Sequence, residues 1–108
     1  MTEPLPVTAY VRVSSGSFDP SRFAEVDAAN MRTSEYLIPA INRLPGLIRH
    51  YVGVSPEGTI VHIGVWDSEE HARQMDGLKE MSVVARAEME AHGVTFRPIV
   101  NYPLSWTN

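Results

Sequence analysis

Two side chains able to exchange protons and hydrogen bonds with a bound molecule, His62 and Trp66, stand four residues apart in the segment Thr59–Trp66. Side chains of an extended chain alternate with a period of two, so this spacing puts both on one face. A neutral imidazole takes a proton near neutral pH. His62 is therefore either a general base or a histidine satisfied inside the fold. Arg49 and Tyr51 lie on the preceding apolar segment, with Tyr10 and Arg12 near the N-terminus. An arginine in a shared cleft either stabilises an anion or joins a salt bridge at an interface. Asn30 stands where an apolar stripe expects leucine. Turned to the core it needs a partner, for which a substrate oxygen, a backbone carbonyl or simple exposure are the alternatives. Met81 and Met89 read as core filler or as a flexible wall for a flat ligand, and Arg86 as a solvated helix residue.

Other chemistries find no residues. The 108-residue chain has no cysteine, which removes disulfides, zinc–thiolate sites, iron–sulfur clusters and thiol nucleophiles. His50, His71 and His92 do not fall at metal-ligand spacing, so no metal is expected. There is no glycine-rich phosphate loop. Nine basic against thirteen acidic residues, net −4 and unclustered, argue against nucleic acid or an anionic membrane as partner. The N-terminal residues lack the basic start and apolar run of a signal peptide, and no stretch approaches the ~20 apolar residues of a membrane span. A cytoplasmic protein is the expectation.

The elements that must position these residues follow from periodicity. A first strand is predicted over Val7–Val13, with Tyr10 and Arg12 on one side and Val11 and Val13 on the other, followed by a loop at Ser14–Ser17. Asp19-Pro20 reads as a helix start, with Phe18 and Phe23 as a staple. The helix is expected to kink or split near Leu37 because of Pro39, and to end at Pro45-Gly46. Leu47–Ser55 and Thr59–Trp66 form a hairpin. A two-residue Glu57-Gly58 turn pairs Val54 with Val61 and His50 with Val65, and sets Arg49 and Tyr51 on the face of His62 and Trp66. Asp67 and Glu70 suggest a helix cap. Gly77 breaks that helix, a further one runs from about Leu78 to His92, and Gly93 stops it. Thr95–Tyr102 is a last strand, and Pro98 within it signals an edge or bulge. The tail from Pro103 is loose or lies across a partner.

This order predicts one α+β domain over residues 1–108, with an ordered core of about 7–102. Its expected form is a ferredoxin-like, four-stranded antiparallel sheet with helices on one face. Neither face of the hairpin looks solvated, so a homodimer packed sheet to sheet is expected.

From Leu44-Pro45-Gly46-Leu47 to Val65-Trp66-Asp67-Ser68-Glu69-Glu70-His71-Ala72 the sequence resembles the antibiotic-biosynthesis monooxygenase family of dimeric α+β barrels. The resemblance implies oxidation of aromatic or polycyclic phenols by oxygen without metal, flavin or other cofactor. It implies a substrate cleft between sheet and helices, and makes Trp66 either a wall or donor there or a plain anchor of the sheet. His62 and Asn30 join it as catalytic candidates, with Tyr51, Arg49, Tyr10 and Met81 as substrate-binding ones. Some relatives of this fold degrade haem, using an Asn on the first strand and a His on the helix after the Trp. Here Val7–Val13 holds no Asn, and His71 follows Trp66 by only five residues. The alternative from another class is a non-catalytic dimeric binding or stress-associated domain.

Overall fold

The computed structural model of the chain describes residues 4–108, so the first three residues of the expected 1–108 domain lie outside the described residues. Strand β1 (Tyr10–Ser17) turns Tyr10, Arg12 and Ser14 to one face and Val11 and Val13 to the other. It begins later than the alternation from Val7 predicts and takes in the expected loop at Ser14–Ser17. The cause is its neighbour: β1 pairs with β3 along its whole length, from Tyr10↔Trp66 to Ser17↔Thr59. Val7 is fully exposed.

A 3-10 turn at Pro20–Arg22 enters helix α1 (Phe23–Asn42). The Ser21 N–H donates to Asp19 Oδ1 at 2.9 Å, a cap of the kind that contributes ~1 kcal/mol. Phe18 and Phe23 pack into one cluster, as the staple predicts. The split near Leu37 does not occur. Pro39 sits in the last turn with its side chain exposed, so its missing N–H removes one bond where the helix is ending.

Strands β2 (Leu47–Ser55) and β3 (Thr59–Trp66) have the predicted bounds but a register shifted by one. Ser55 pairs with Thr59, Val54 with Ile60, Val52 with His62 and His50 with Gly64. The connection is three residues long, with Gly58 at φ +102 and its N–H bonded to Ser55 O at 3.0 Å. Pro56 has no N–H to give the ladder, which disfavours the two-residue turn that would have paired it. A clean aliphatic face is therefore not formed. Ile60, His62, Gly64 and Trp66 are all buried, whereas Val61, Ile63 and Val65 lie half-buried on the open face.

Helix α2 (Glu69–Ala72) is capped by Ser68, not Asp67: Ser68 Oγ accepts from the His71 N–H at 3.2 Å. A 3-10 segment, Arg73–Gly77, follows. The next helix opens as a wide π-helical stretch, Glu80–Ala85, and continues as α3 (Arg86–Ala91), with Gly93 at φ +91 ending it. The expected last strand is two, β4 (Thr95–Phe96) and β5 (Val100–Pro103), both paired with β1 on the side away from β3. The bulge foreseen at Pro98 divides them, so the sheet has five strands where four were expected, in the order β2-β3-β1-β4. The four-position ferredoxin-like layout survives, with its edge position broken in two.

The core is also divided. Val26, Ala29, Ile60 and Met89 form one buried cluster, and Leu37, Ile41, Trp66 and Met75 another. Thr33 on α1 and His62 on β3 fall between them. The hairpin turn fixes which strand positions meet that gap. A Cβ at Gly58 would approach Phe18 O to 2.5 Å at a φ that L residues rarely adopt. We expect Gly58→Ala to lower stability by about 1–3 kcal/mol in urea unfolding; a change under ~0.5 kcal/mol would refute the turn's role in setting register.

Candidate functional site

The register lays two rows of side chains across the sheet beneath the helices, Arg12–Gly64–His50 and Ser14–His62–Val52. They occupy the gap between the apolar clusters, and there a cavity of about 140 Å³ opens. Arg12, Ser14 and His62 form its sheet side, with Thr33 and Leu37 of α1 opposite. A smaller chamber of about 30 Å³ adjoins it, sharing Arg12, His62, Met75 and Met81 and adding His50 and Trp66. Met81, Ser82 and Ala85 reach the larger cavity from the π-helical stretch. Such widened turns recur where a helix must present side chains off its regular period.

Glycine at position 64 makes the smaller chamber possible. A Cβ there would stand 2.6 Å from Trp66 Nε1 and 3.4 Å from His50 Cδ2. The indole therefore lies across the backbone of its own strand, with its N–H over the Arg12–Gly64–His50 row. Trp66 Nε1 is buried and makes no hydrogen bond with the described residues, and neither does His62 Nδ1. A buried donor or acceptor left unpaired costs ~1–3 kcal/mol. Two such atoms beside one chamber are a feature that packing alone does not reward.

The charges are placed unequally. Arg12 is 7% exposed in its side chain, and its Nη2 donates to Asp76 Oδ1 at 2.7 Å, while the Asp76 side chain is 56% exposed. Burial pushes the His62 imidazole down to about 4, and the nearby His50 acts in the same direction. Burial also lowers His50, whose ring centroid is 5.8 Å from that of His62. Both rings are thus neutral at pH 7.

The residues named from sequence divide accordingly. Trp66, His62 and Met81 meet at the paired chambers. Asn30 is half-buried on α1 and lines a separate groove beside β2, in which His62, Thr33 and Leu37 are the shared wall. Tyr10 packs against the Trp66 cluster and lines neither chamber. Arg49 and Tyr51 do not join the cavity: the shifted register pairs them with Val65 and Ile63, on the open face. His71 is held by Asp67 at 2.6 Å and His92 by Glu25 at 2.7 Å, both away from the cavity. Arg86 is exposed, as read from sequence, and also borders the cavity, with its guanidinium 5.3 Å from the Phe96 ring centre. Gly64, Met75 and Asp76 are not among the site candidates read from sequence. Gly64 alone had a visible signal, a missing side chain between His62 and Trp66 on one strand face.

No protein-family model matches the chain, and no curated protein matches it. Among solved structures, a variant of SnoaB, a cofactor-independent oxygenase from Streptomyces nogalater, superposes with a TM-score of 0.66 at 18% identity, covering 93% of this chain and 96% of that one. The monooxygenase ActVA-Orf6 of Streptomyces coelicolor, in complex with nanaomycin D, gives 0.65 at 18% identity over 94% and 92%. A dimeric ferredoxin-like protein from an uncultured marine organism gives 0.59 at 21% identity over 87% and 84%. The likeness establishes the fold: the chain has the ferredoxin-like α+β architecture of these proteins, as the resemblance around Pro45-Gly46 and Trp66 implied.

The depressed His62 pKa has a consequence for stability. The unfolded chain protonates this ring near 6.5 and the folded one near 4, so stability is full above pH 6.5 and is lost as pH falls toward 4. By pH 5 the loss from this group reaches ~2 kcal/mol. His62→Leu should flatten the melting temperature between pH 7 and 5; an unchanged slope would show that the buried ring is not its source.

Proposed function

We propose that the protein is a cofactor-independent monooxygenase acting on an aromatic or polycyclic phenolic molecule bound between sheet and helices. The observation that carries this reading is the pairing of two unpartnered buried nitrogens, His62 Nδ1 and Trp66 Nε1, with the guanidinium of Arg12 at one chamber. The likeness in fold to a cofactor-independent oxygenase and to a monooxygenase is consistent with it.

The chemistry asks little of a protein. An ionised phenol delocalises its charge onto ring carbon and gives one electron to oxygen. Recombination of the radical pair forms a carbon–oxygen bond, and O–O cleavage then leaves a carbonyl and releases water. For 1-naphthol the balance is one oxygen molecule consumed, one oxygen atom kept in 1,4-naphthoquinone and one lost as water. Positioning the ring and stabilising its anion are the protein's share.

His62 is a poor base for the first step. Moving a proton from a phenol of pKa about 10 to an imidazole of pKa about 4 is uphill by ~8 kcal/mol. His62 and Trp66 are better suited to orienting the substrate oxygen, and Arg12 to favouring the anion. Asn30, one wall away, has no part in this geometry unless the partition at Thr33 and Leu37 opens.

The same weak basicity favours a second reading, a binding domain that holds an aromatic ligand without turning it over. On either reading we infer a homodimer. Val11, Val13, Ile63 and Val65 form an apolar open face flanked by Tyr51 and Tyr102, each more than half exposed. A second copy related by a two-fold axis would cover it. No helix is long and apolar enough to cross a membrane among the described residues.

With 1-naphthol and anthrone as probes, oxygen uptake should match quinone formation one to one without added metal or flavin. Trp66→Phe should lower the rate at least tenfold. Stabilisation by either probe under nitrogen with no uptake in air would favour the binding domain, and neither effect would sink both readings. Native mass spectrometry should find twice the 12.0 kDa chain mass; a monomer alone would contradict the dimer.

A further inference from the structure

Arg12 is more deeply buried than a structural salt bridge requires, and its partner is the weaker half of the pair. The guanidinium has five N–H donors, of which the described residues engage one strongly, at Asp76 Oδ1, and one marginally, at Ala72 O, 3.5 Å away. Asp76 stands on the short 3-10 segment before Gly77, where a Cβ would meet nothing within 4 Å. Its side chain is 56% exposed against 7% for Arg12. The carboxylate itself can turn into water, but the guanidinium cannot follow, so the exchange is open only when another anion takes its place on Arg12. Arg86 borders the same cavity but is half exposed and lies 3.5 Å from Glu90, so Arg12 is the buried cation of the lining.

Size sets the other limit. A cavity of about 140 Å³ is close to the ~150 Å³ that holds a benzene ring. The adjoining chamber of about 30 Å³ adds room for a substituent atom or two beside His62 and Trp66. Leu37, Met75, Ala85 and Met89 supply the apolar walls that a ring needs. The walls therefore enclose about one ring, and any further ring of a larger molecule would lie at the cavity's open side.

We propose that the ligand of this cavity is a single-ring aromatic acid, its carboxylate paired with Arg12 in place of Asp76. A second oxygen on the ring then meets the free nitrogens of His62 and Trp66. The assignment rests on the reading of this cavity as the substrate site, and it narrows that substrate to an anion held by a resident cation. Asp76 becomes a stand-in for the ligand, keeping the buried guanidinium paired until the ligand arrives.

Salicylate and its neutral isostere salicylamide test this by calorimetric titration of the full-length protein. Salicylate should bind at least tenfold more tightly than salicylamide. Asp76→Asn, which removes the competing carboxylate, should tighten salicylate several-fold and leave salicylamide unchanged. Arg12→Met should bring the two within twofold of each other. Equal affinities in the natural sequence, no salicylate binding at millimolar concentration, or an Asp76→Asn protein with unaltered salicylate affinity would each overturn the proposal. Should Arg12→Met fail to fold, the Asp76→Asn result alone decides. Oxygen uptake with 1-naphthol without salicylate preference would leave the oxygenase reading standing while this one fails; salicylate preference without uptake would do the reverse.

Discussion

The contact on which the site depends is that of the Trp66 indole with the bare backbone of Gly64. A methyl group at position 64 would stand 2.6 Å from the indole nitrogen, so the ring can lie along its own strand only because that side chain is missing. With the ring there, Trp66 closes one apolar cluster, and its N–H rests over a row that also holds Arg12 and His50. Moving the ring would remove a wall of the smaller chamber.

From that constraint the split core follows. Ile60 and Trp66 anchor separate clusters on β3, and the two positions between them on the same face are a histidine and a glycine. Helix α1 repeats the interruption with Thr33 between Ala29 and Leu37. A fold selected for stability alone would place leucine or isoleucine there, since burying each such side chain contributes ~1.5–3 kcal/mol. Burial of a charged group opposes folding and is only partly offset by its partner. The protein therefore forgoes stability at one level of its core, and every polar group involved borders the cavity. Stability given up in one place for binding chemistry is the pattern that separates a site from a packing defect.

How much of this was legible in the sequence can be judged residue by residue. Period-two alternation located β2 and β3 to the residue, and Asp19-Pro20 located the 3-10 turn that leads into α1, because those signals are local. The hairpin register was not legible. A two-residue and a three-residue turn fit the same Pro56-Glu57-Gly58, and choosing the one with the cleaner aliphatic face favoured packing over turn geometry. That single slip moved Arg49 and Tyr51 onto the cavity side, where the structure does not have them. The pairing of Trp66 with His62 survived because both lie on one strand, and their spacing is indifferent to the partner strand. Asp76 and Met75 could not have been found: they reach the cavity through a break between helices whose direction is set by tertiary packing. The division of the last strand was half visible, since Pro98 marked the place without showing that both pieces would stay on β1.

The central claim is that the Trp66 N–H faces a cavity a ligand enters, and the indole proton reports on it directly. The chain has only two tryptophans, Trp66 and Trp106, one buried and the other 79% exposed. In a nitrogen-15 spectrum recorded under nitrogen gas, addition of 1-naphthol should shift the Trp66 indole resonance saturably and leave that of Trp106 in place. A ligand that binds, by the same titration, while the Trp66 resonance stays fixed would place it somewhere other than this cavity and contradict the account.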